Sequence, residues 1–503
     1  MSVRIYPVAQ TVLQCEDYIV KLNGKKLPLD TARVSAYPFN RRWPGHQRQI
    51  EQSELVNFLR FAMDEPVTLE IIPAKPFEKL AVRPASAKLA YKLTDSGRIL
   101  LTLDKPQYCT VEPYGRNHAL HIFADPMPQY DVDISDETVI YFGPGEHEIG
   151  TLWLQSNQTL FIDEGAVVYG CVRAEDAENI RILGRGILDH SCVHAQILFE
   201  ANEVGNAAAV NNAVRTRPIQ LKYCDNVEIE GITIRDSLAY NIHPIACRNM
   251  TMRNLKLIGN WRYNSDGIDL HNSEDVLIEN CFIRTFDDSI CVKGFDCYQS
   301  GDVDQAVYKA MHHNGYVYDS FRNITIRRCV IWNDWGKALE IGAETRAEEM
   351  CNITFEDCDV IHVTSVPLDC GNVDYADIHD VTYRNIRVEL DDTIPQPVLQ
   401  QSDEDTYAQT NPDYMPSSIA VTVTYHFEYS AGGARRGKNH DFLFEDIYIT
   451  GRHTPRFRFL GYDPEHGVSN VTLRNIYLNG EKITDPSQYT LQINEFCSNI
   501  TIE

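Results

Sequence analysis

Three aspartates stand where acid–base chemistry could be carried out. Asp266 lies in NSDGID (264–269), and Asp287 and Asp288 lie in FDDSICVK (286–293). Carboxylates held close together repel, which raises the pKa of at least one of them. One then stays protonated near neutral pH as a general acid while another remains ionised as a base. Cleavage of a glycosidic bond needs that division of labour. A third segment, GKALEIG (336–342), brings Lys337, a cation that would offset the repulsion and hold substrate oxygens. Singly, DD and NSDG are ordinary turn sequences, and an outward aspartate is most often merely solvated. Their occurrence together, in neighbouring copies of a repeat, is what points to chemistry.

That repeat is the element that must position them. From residue 157 onward a phrase recurs: an Asn or Asp, an aliphatic strand, a polar pair, and a second aliphatic strand. Instances are DNVEIEGITIRDS (225–237), EDVLIENCFIRTF (274–286), RNITIRRCVIWND (322–334), CNITFEDCDVIHV (351–363) and SNVTLRNIYLNG (469–480). Apolar and polar residues alternate within each copy, the period of a half-buried strand. Copies follow one another at about 22 to 30 residues where nothing is inserted, which suits one turn of a β-solenoid better than a βαβ unit. The leading Asn fits a bend, since it tolerates left-handed backbone angles.

Aligning the coils on Ile268, Ile290 and Leu339 puts Asp266, Asp288 and Lys337 in one column, with Asp287 beside it. Asp269, Cys291 and Glu340 fall in a second, outward column. Candidate substrate-binding residues are Lys337, Glu340, Asp269, His243 in NIHPIAC one coil earlier, Lys293 and His271 at the ends of the two strands, and Arg346 in TRAEE (345–349).

The expected architecture is all-β: a right-handed parallel β-helix over residues 131–503, preceded by a β-rich, sandwich-like domain over residues 1–130. The boundary is placed in MPQYDVDISDET (127–138), and QSELVNFLRFAM (52–63) shows helical periodicity. Residues 294–320 and 391–416 are too long for bends, and long loops of this kind commonly carry function. The first of them directly follows the Asp-Asp coil, where it is expected to cover one end of a groove and favour exo-cleavage of short chains.

Composition excludes other classes. Arg and Lys total 46 against 71 Asp and Glu, a net charge of −25, which argues against nucleic acid and disfavours an anionic substrate unless a local basic patch overrides the field. No apolar run is long enough for a membrane span, and the N-terminal segment lacks a basic region followed by an apolar one. Fourteen cysteines include no CxxC pair; Cys281, Cys329 and Cys358 sit inside apolar strands and read as small buried thiols. A reduced, cytoplasmic protein is the expectation. There is no GxGxxG after a strand and no P-loop, so no cofactor and no metal is expected, and no oligomeric state is specified.

The order NSDGID, FDDSICVK, GKALEIG resembles the polygalacturonase clan of glycoside hydrolases, families 28 and 49. VIYFGPGEHEIGTLWLQSNQTLFIDEGAVVYG (139–170) is similar to the start of that β-helix. A sandwich ahead of the helix is similar to the family 49 dextranase and isopullulanase branch. The resemblance implies an inverting hydrolase of oligosaccharides or polysaccharides. It makes Asp287 the acid that protonates the leaving oxygen, and Asp266 and Asp288 the pair that positions and deprotonates water. The chain departs from the polygalacturonase pattern in two places. Lys337 stands where that pattern has the His of Gly-His-Gly, and no Arg-x-Lys follows Ala343. A neutral glycan or an unusual uronide is therefore the expected substrate. Two other classes remain open: a lyase or epimerase on the same solenoid, and a glycan-binding solenoid without catalysis.

Overall fold

The computed structural model describes residues 3–9, 14–36, 50–191, 216–295, 303–391, 396–397, 410–411, 416–426, 429–430 and 435–503. Residues 296–302 of the first insertion, and all of the second beyond Asp391 except 396–397, 410–411 and 416, lie outside these, as do residues 37–49.

Each repeat phrase forms a turn of a parallel β-helix, in which the strands from Val139 to Ile502 make one continuous 30-stranded sheet. Strands pair with the strand one turn on. Ile219, Ile242, Ile268, Ile290, Leu339, Leu368 and Ile419 stand in register up one face. Their side chains fill the interior with the apolar residues of the other faces. Cys281, Cys329 and Cys358 are fully buried free thiols in that interior. Each thiol donates to the carbonyl two residues earlier, at 3.3–3.4 Å. The leading Asn residues make the bends: Asn179, Asn226, Asn323, Asn352, Asn470 and Asn499 have φ between 53° and 61°. Their side-chain amides bond to the equivalent side chain one turn below, as in Asn226 to Asn179 at 2.7 Å and Asn352 to Asn323 at 2.7 Å. Asn tolerates the left-handed bend and also has both a donor and an acceptor to continue the ladder.

Ahead of the helix, a six-stranded sheet built on Ser53–Met63 and a five-stranded antiparallel sheet built on Val67–Pro73 face one another. Leu59, Phe61, Leu69, Ile71, Leu101 and Ile122 fill the space between them. The segment with helical periodicity, QSELVNFLRFAM, is therefore a strand over Ser53–Met63, preceded by a single 3-10 turn. It is buried on both faces. Leu59, Phe61 and Met63 enter the sandwich core, whereas Val56 and Phe58 pack with Phe282, Val330 and Trp332 of the β-helix. A two-sided central strand has an almost continuous apolar run, and periodicity cannot separate that from a buried helix.

Buried ion pairs cross the same junction. Lys256 Nζ lies 3.0 Å from Asp125, and Arg116 pairs with Asp334. His362 on the helix bonds through Nδ1 to Asp391 at 2.6 Å and through Nε2 to Glu112 of the sandwich at 3.1 Å. Burial alone would lower the pKa of His362, but Asp391 and Glu112 outweigh it and raise the value from 6.5 to about 9. This imidazolium therefore stabilises the fold fully below pH 6.5 and loses that contribution as pH rises through 9. Replacing His362 with Gln should cost about 3 kcal/mol at pH 6, the scale of a broken buried pair. The gap between the two proteins in thermal melts should close between pH 6.5 and 9.5. A gap independent of pH would show that the imidazole only fills space.

Candidate active site

The register places the three acidic or basic strand starts on adjacent rungs. Gly267 N–H donates to the carbonyl of Asp288 and Ser289 N–H to that of Lys337, both at 2.8 Å. Asp269, Cys291, Glu340 and Asp369 follow one another up the next column. Two motif glycines permit this approach: a Cβ on Gly267 would lie 2.1 Å from the Ser289 carbonyl, and one on Gly336 2.4 Å from the Asp288 nitrogen. Asn333 Nδ2 and Thr285 Oγ1 each donate to the Asp287 carbonyl at 2.7 Å, clamping the Asp-Asp turn. Phe286 and Trp335 stack behind it with centroids 5.4 Å apart.

Carboxylate oxygens of Asp266, Asp287 and Asp288 all lie within 4.8 Å of one another. Asp266 is buried, while Asp287 and Asp288 are half-buried. Asp287 accepts N–H bonds from Asn264 at 3.2 Å and Asp288 at 3.1 Å, and Asp288 accepts one from Lys337 at 2.8 Å. Two lysines neutralise the surroundings. Lys293 Nζ is 2.9 Å from Asp269, 3.5 Å from Asp266, 3.6 Å from Glu344 and 3.9 Å from Asp288. Lys337 pairs with Glu340, and with Asp369 at 2.9 Å. Asp269 and Glu340, expected on an outward column, have no exposed surface and serve as counter-ions to these lysines.

Burial and the neighbouring Asp288 charge push Asp287 up to about 7, and burial pushes Asp269 up to about 6 against the pull of Lys293. Burial, with Asp269 and Asp287, holds Asp266 well above the usual carboxylate range. Burial opposes the charge on Lys293, but Asp269 and Glu344 overcome it and keep the ammonium protonated.

His243 and His271 lie on the preceding rungs, joined Nε2 to Nδ1 at 3.0 Å, and line a cavity of about 380 Å³ together with Arg217, Lys222 and Tyr240. The opposite wall is the helix Val303–Met311 of the first insertion. That insertion reaches back along the solenoid. Tyr223 Oη donates to the Ala310 carbonyl at 3.2 Å, the His313 and Tyr223 rings stack at 3.7 Å, and Asn314 donates to Asp176 at 2.8 Å. Arg346 is buried, pairs with Asp374 at 3.1 Å and does not line the cavity.

Sequence reasoning missed Asp369, Glu344, Asn333, Arg217, Lys222, Tyr240 and Tyr429. The Tyr429 hydroxyl is pushed up to about 12 by burial and by the charge on Asp287. Asp369 could have been found by extending the outward column one coil, through LDCGN. Tyr429 follows the strand Ile419–Val423, outside the repeat phrase, and carries no pattern.

Among the described residues, three groups of side chains have ligand atoms close enough to hold an ion: Asp266, Asp287 and Asp288; Asp288, Cys291 and Glu340; and Glu349, Cys351 and His379. Lys293 and Lys337 already supply positive charge to the first two.

The model of glycosyl hydrolases family 28 matches residues 151–425. A probable polygalacturonase of Vitis vinifera is 28% identical over 153 residues, 28% of this chain and 28% of that protein. A polygalacturonase of Gossypium barbadense is 32% identical over 125 residues, 24% of this chain and 29% of that protein. The matches thus span less than a third of these relatives' length. Dex49A from Penicillium minioluteum superposes over 100% of this chain and 96% of its own, with a TM-score of 0.52 at 13% identity, and so shares the fold.

If Lys293 is what allows the carboxylates to sit together, Lys293→Met should cost about 3–5 kcal/mol at pH 8, where Asp269 and Asp287 are charged. Most of that should return at pH 5, below the values of Asp269 and Asp287. Denaturant melts at the two pH values measure it; an equal penalty at both would mean that Lys293 acts through packing alone.

Proposed function

Because the chain belongs to glycosyl hydrolases family 28, we propose that it hydrolyses glycosidic bonds in oligosaccharides or polysaccharides, with Asp266, Asp287 and Asp288 as the reacting carboxylates. The observation that carries this reading is the compact trio of carboxylates at the start of adjacent rungs, one of them half-buried with its pKa raised to about 7.

The roles follow from exposure and reach. Asp287 holds a proton at neutral pH and is half-buried, so it is the member that delivers a proton to the leaving oxygen. Asp288, fixed by the Lys337 amide, takes the proton of a water that it holds together with Asp266, which is buried against Lys293. A water accepted at about 2.7–2.8 Å by each of two oxygens spans the separations seen here.

Two measurements bear on the finer reading. Inversion usually goes with acid and base about 6.5–9.5 Å apart, whereas retention goes with about 5–5.5 Å. The compactness of the trio favours retention as the second reading, and inversion is supported by the resemblance of the motifs. The anomer formed first, followed by NMR, separates them: an inverted product is expected. Exo-cleavage is supported by the insertion helix, which walls the groove on the rungs before Asp266. End-labelled oligosaccharides should release short products from one end, and early mid-chain fragments would overturn exo-action.

Asp287→Asn should lower kcat by about 10²–10⁴-fold, the usual contribution of a general acid. In the wild type, kcat should fall as pH rises above about 7, as Asp287 loses its proton. An alkaline limb that persists unchanged in a partly active Asp287→Asn protein would assign the acid elsewhere.

A further inference from the structure

Glu349, Cys351 and His379 stand apart from the carboxylate cluster, on the strands Glu349–Glu356 and Asp377–Glu389. Met350 and Ile353 point into the interior of the solenoid, whereas Cys351, between them, is not part of it. Residues two apart on a strand share a face, so Glu349 and Cys351 point the same way. In the next rung His379 is in register with Cys351, and Asp377 with Glu349. One rung is a step of about 4.8 Å. A carboxylate oxygen, a sulfur and a ring nitrogen consequently lie within 4.8 Å of one another. Glu349 and Cys351 form only E-x-C, with the histidine almost a full coil later, so no zinc motif is visible in the sequence. The register alone assembles the group.

Each ligand atom is already aimed. Arg322, in register with Cys351 on the preceding rung, donates to Glu349 Oε2 at 2.8 Å. Oε1 is the oxygen that faces His379, 3.3 Å from Nε2. Asp380 lies 2.8 Å from His379 Nδ1 and holds a proton there, so Nε2 is the nitrogen presented to Glu349 and Cys351. A carboxylate behind a ligating imidazole is the usual support for a bound metal ion. Cys351 is a free thiol with 7% of its surface exposed. It behaves unlike the interior thiols. Those of Cys281, Cys329 and Cys358 donate to carbonyls two residues earlier, whereas that of Cys351 is directed to Glu349. The neighbouring His440 is engaged elsewhere: its ring stacks on His379 with centroids 4.9 Å apart, and its Nε2 is bonded to Asp377 at 2.9 Å.

A sulfur, an imidazole nitrogen and a carboxylate oxygen are the donor set of zinc. Calcium and magnesium take oxygen ligands and have no use for the thiol. We infer that Glu349 Oε1, Cys351 Sγ and His379 Nε2 form a zinc site, with water in the fourth position. Binding displaces the thiol proton and the proton that His379 Nε2 shares with Glu349, and both pass to solvent. Thiolate and carboxylate then balance the two charges of the ion. Because the ligands come from two rungs, the ion clips one coil to the next on the outside of the solenoid. The site is independent of the hydrolase reading.

Calorimetric titration of the full chain with zinc chloride, after removal of metal by a chelator, tests the site. One equivalent should bind and raise the thermal midpoint, and calcium and magnesium should not compete with it. Cobalt in place of zinc should give a thiolate-to-metal charge-transfer band. Cys351→Ser should abolish that band, and His379→Gln should weaken zinc binding by more than the about 10–100-fold expected for Asp380→Asn, which changes only the group behind the ligand. His440→Gln should leave binding as it is. Two ligand variants keep the test open if one of them fails to fold. Absence of saturable zinc binding, or binding undiminished in either ligand variant, would overturn the site.

Discussion

Seven carboxyl groups, those of Asp266, Asp269, Asp287, Asp288, Glu340, Glu344 and Asp369, share two lysines across neighbouring rungs. Lys293 is the centre of that arrangement. An ammonium taken out of water is costly, and so is each carboxylate; here they lower one another's cost. The balance is incomplete, which matters for the chemistry. Two cations for seven acids leave protons trapped on part of the set, as the raised values of Asp269 and Asp287 record. A fully neutralised cluster would have no proton to give.

Such a cluster has to be held from outside, because its own charges push it apart. Backbone bonds between rungs, the asparagine ladder at the bends and the aliphatic interior fix the strand starts before any side chain contributes. The sandwich closes a different face of the solenoid, through Phe58, Phe123, Phe282 and Trp332, and so braces it without entering the groove. Buried pairs such as Lys256 with Asp125 cross the same junction.

The site was legible in the sequence to the extent that it obeys the repeat. Ile268, Ile290 and Leu339 occupy equivalent places in their coils, so period-two alternation alone brought Asp266, Asp288 and Lys337 onto adjacent rungs, and the pairing agrees. Asp369 extends the outward column by one coil, but much of what escaped does not follow the repeat. Tyr429 arrives from beyond a strand, and Arg217 precedes one. Asn333 works through its amide on the Asp287 carbonyl, a contact without spacing rules. Charge state escaped for another reason. Asp269 and Glu340 sit at positions that alternate outward, yet they are buried against Lys293 and Lys337, and only tertiary structure shows that they are dry. The strand Ser53–Met63 was misread because both of its faces are core.

The insertion carrying Val303–Met311 leaves the solenoid after the Asp-Asp rung and docks several rungs back, against Tyr223 and Asp176. It contributes one wall of the cavity but none of the rung-to-rung pairing. Lengthening or shortening such a segment costs only the slowly growing entropy of a longer loop, while the rungs beneath keep their nearest-neighbour stability. The depth of the compartment is therefore free to drift without disturbing the carboxylates. Trading one surface loop can therefore reshape the space beside the carboxylates while the rungs that hold them stay as they are.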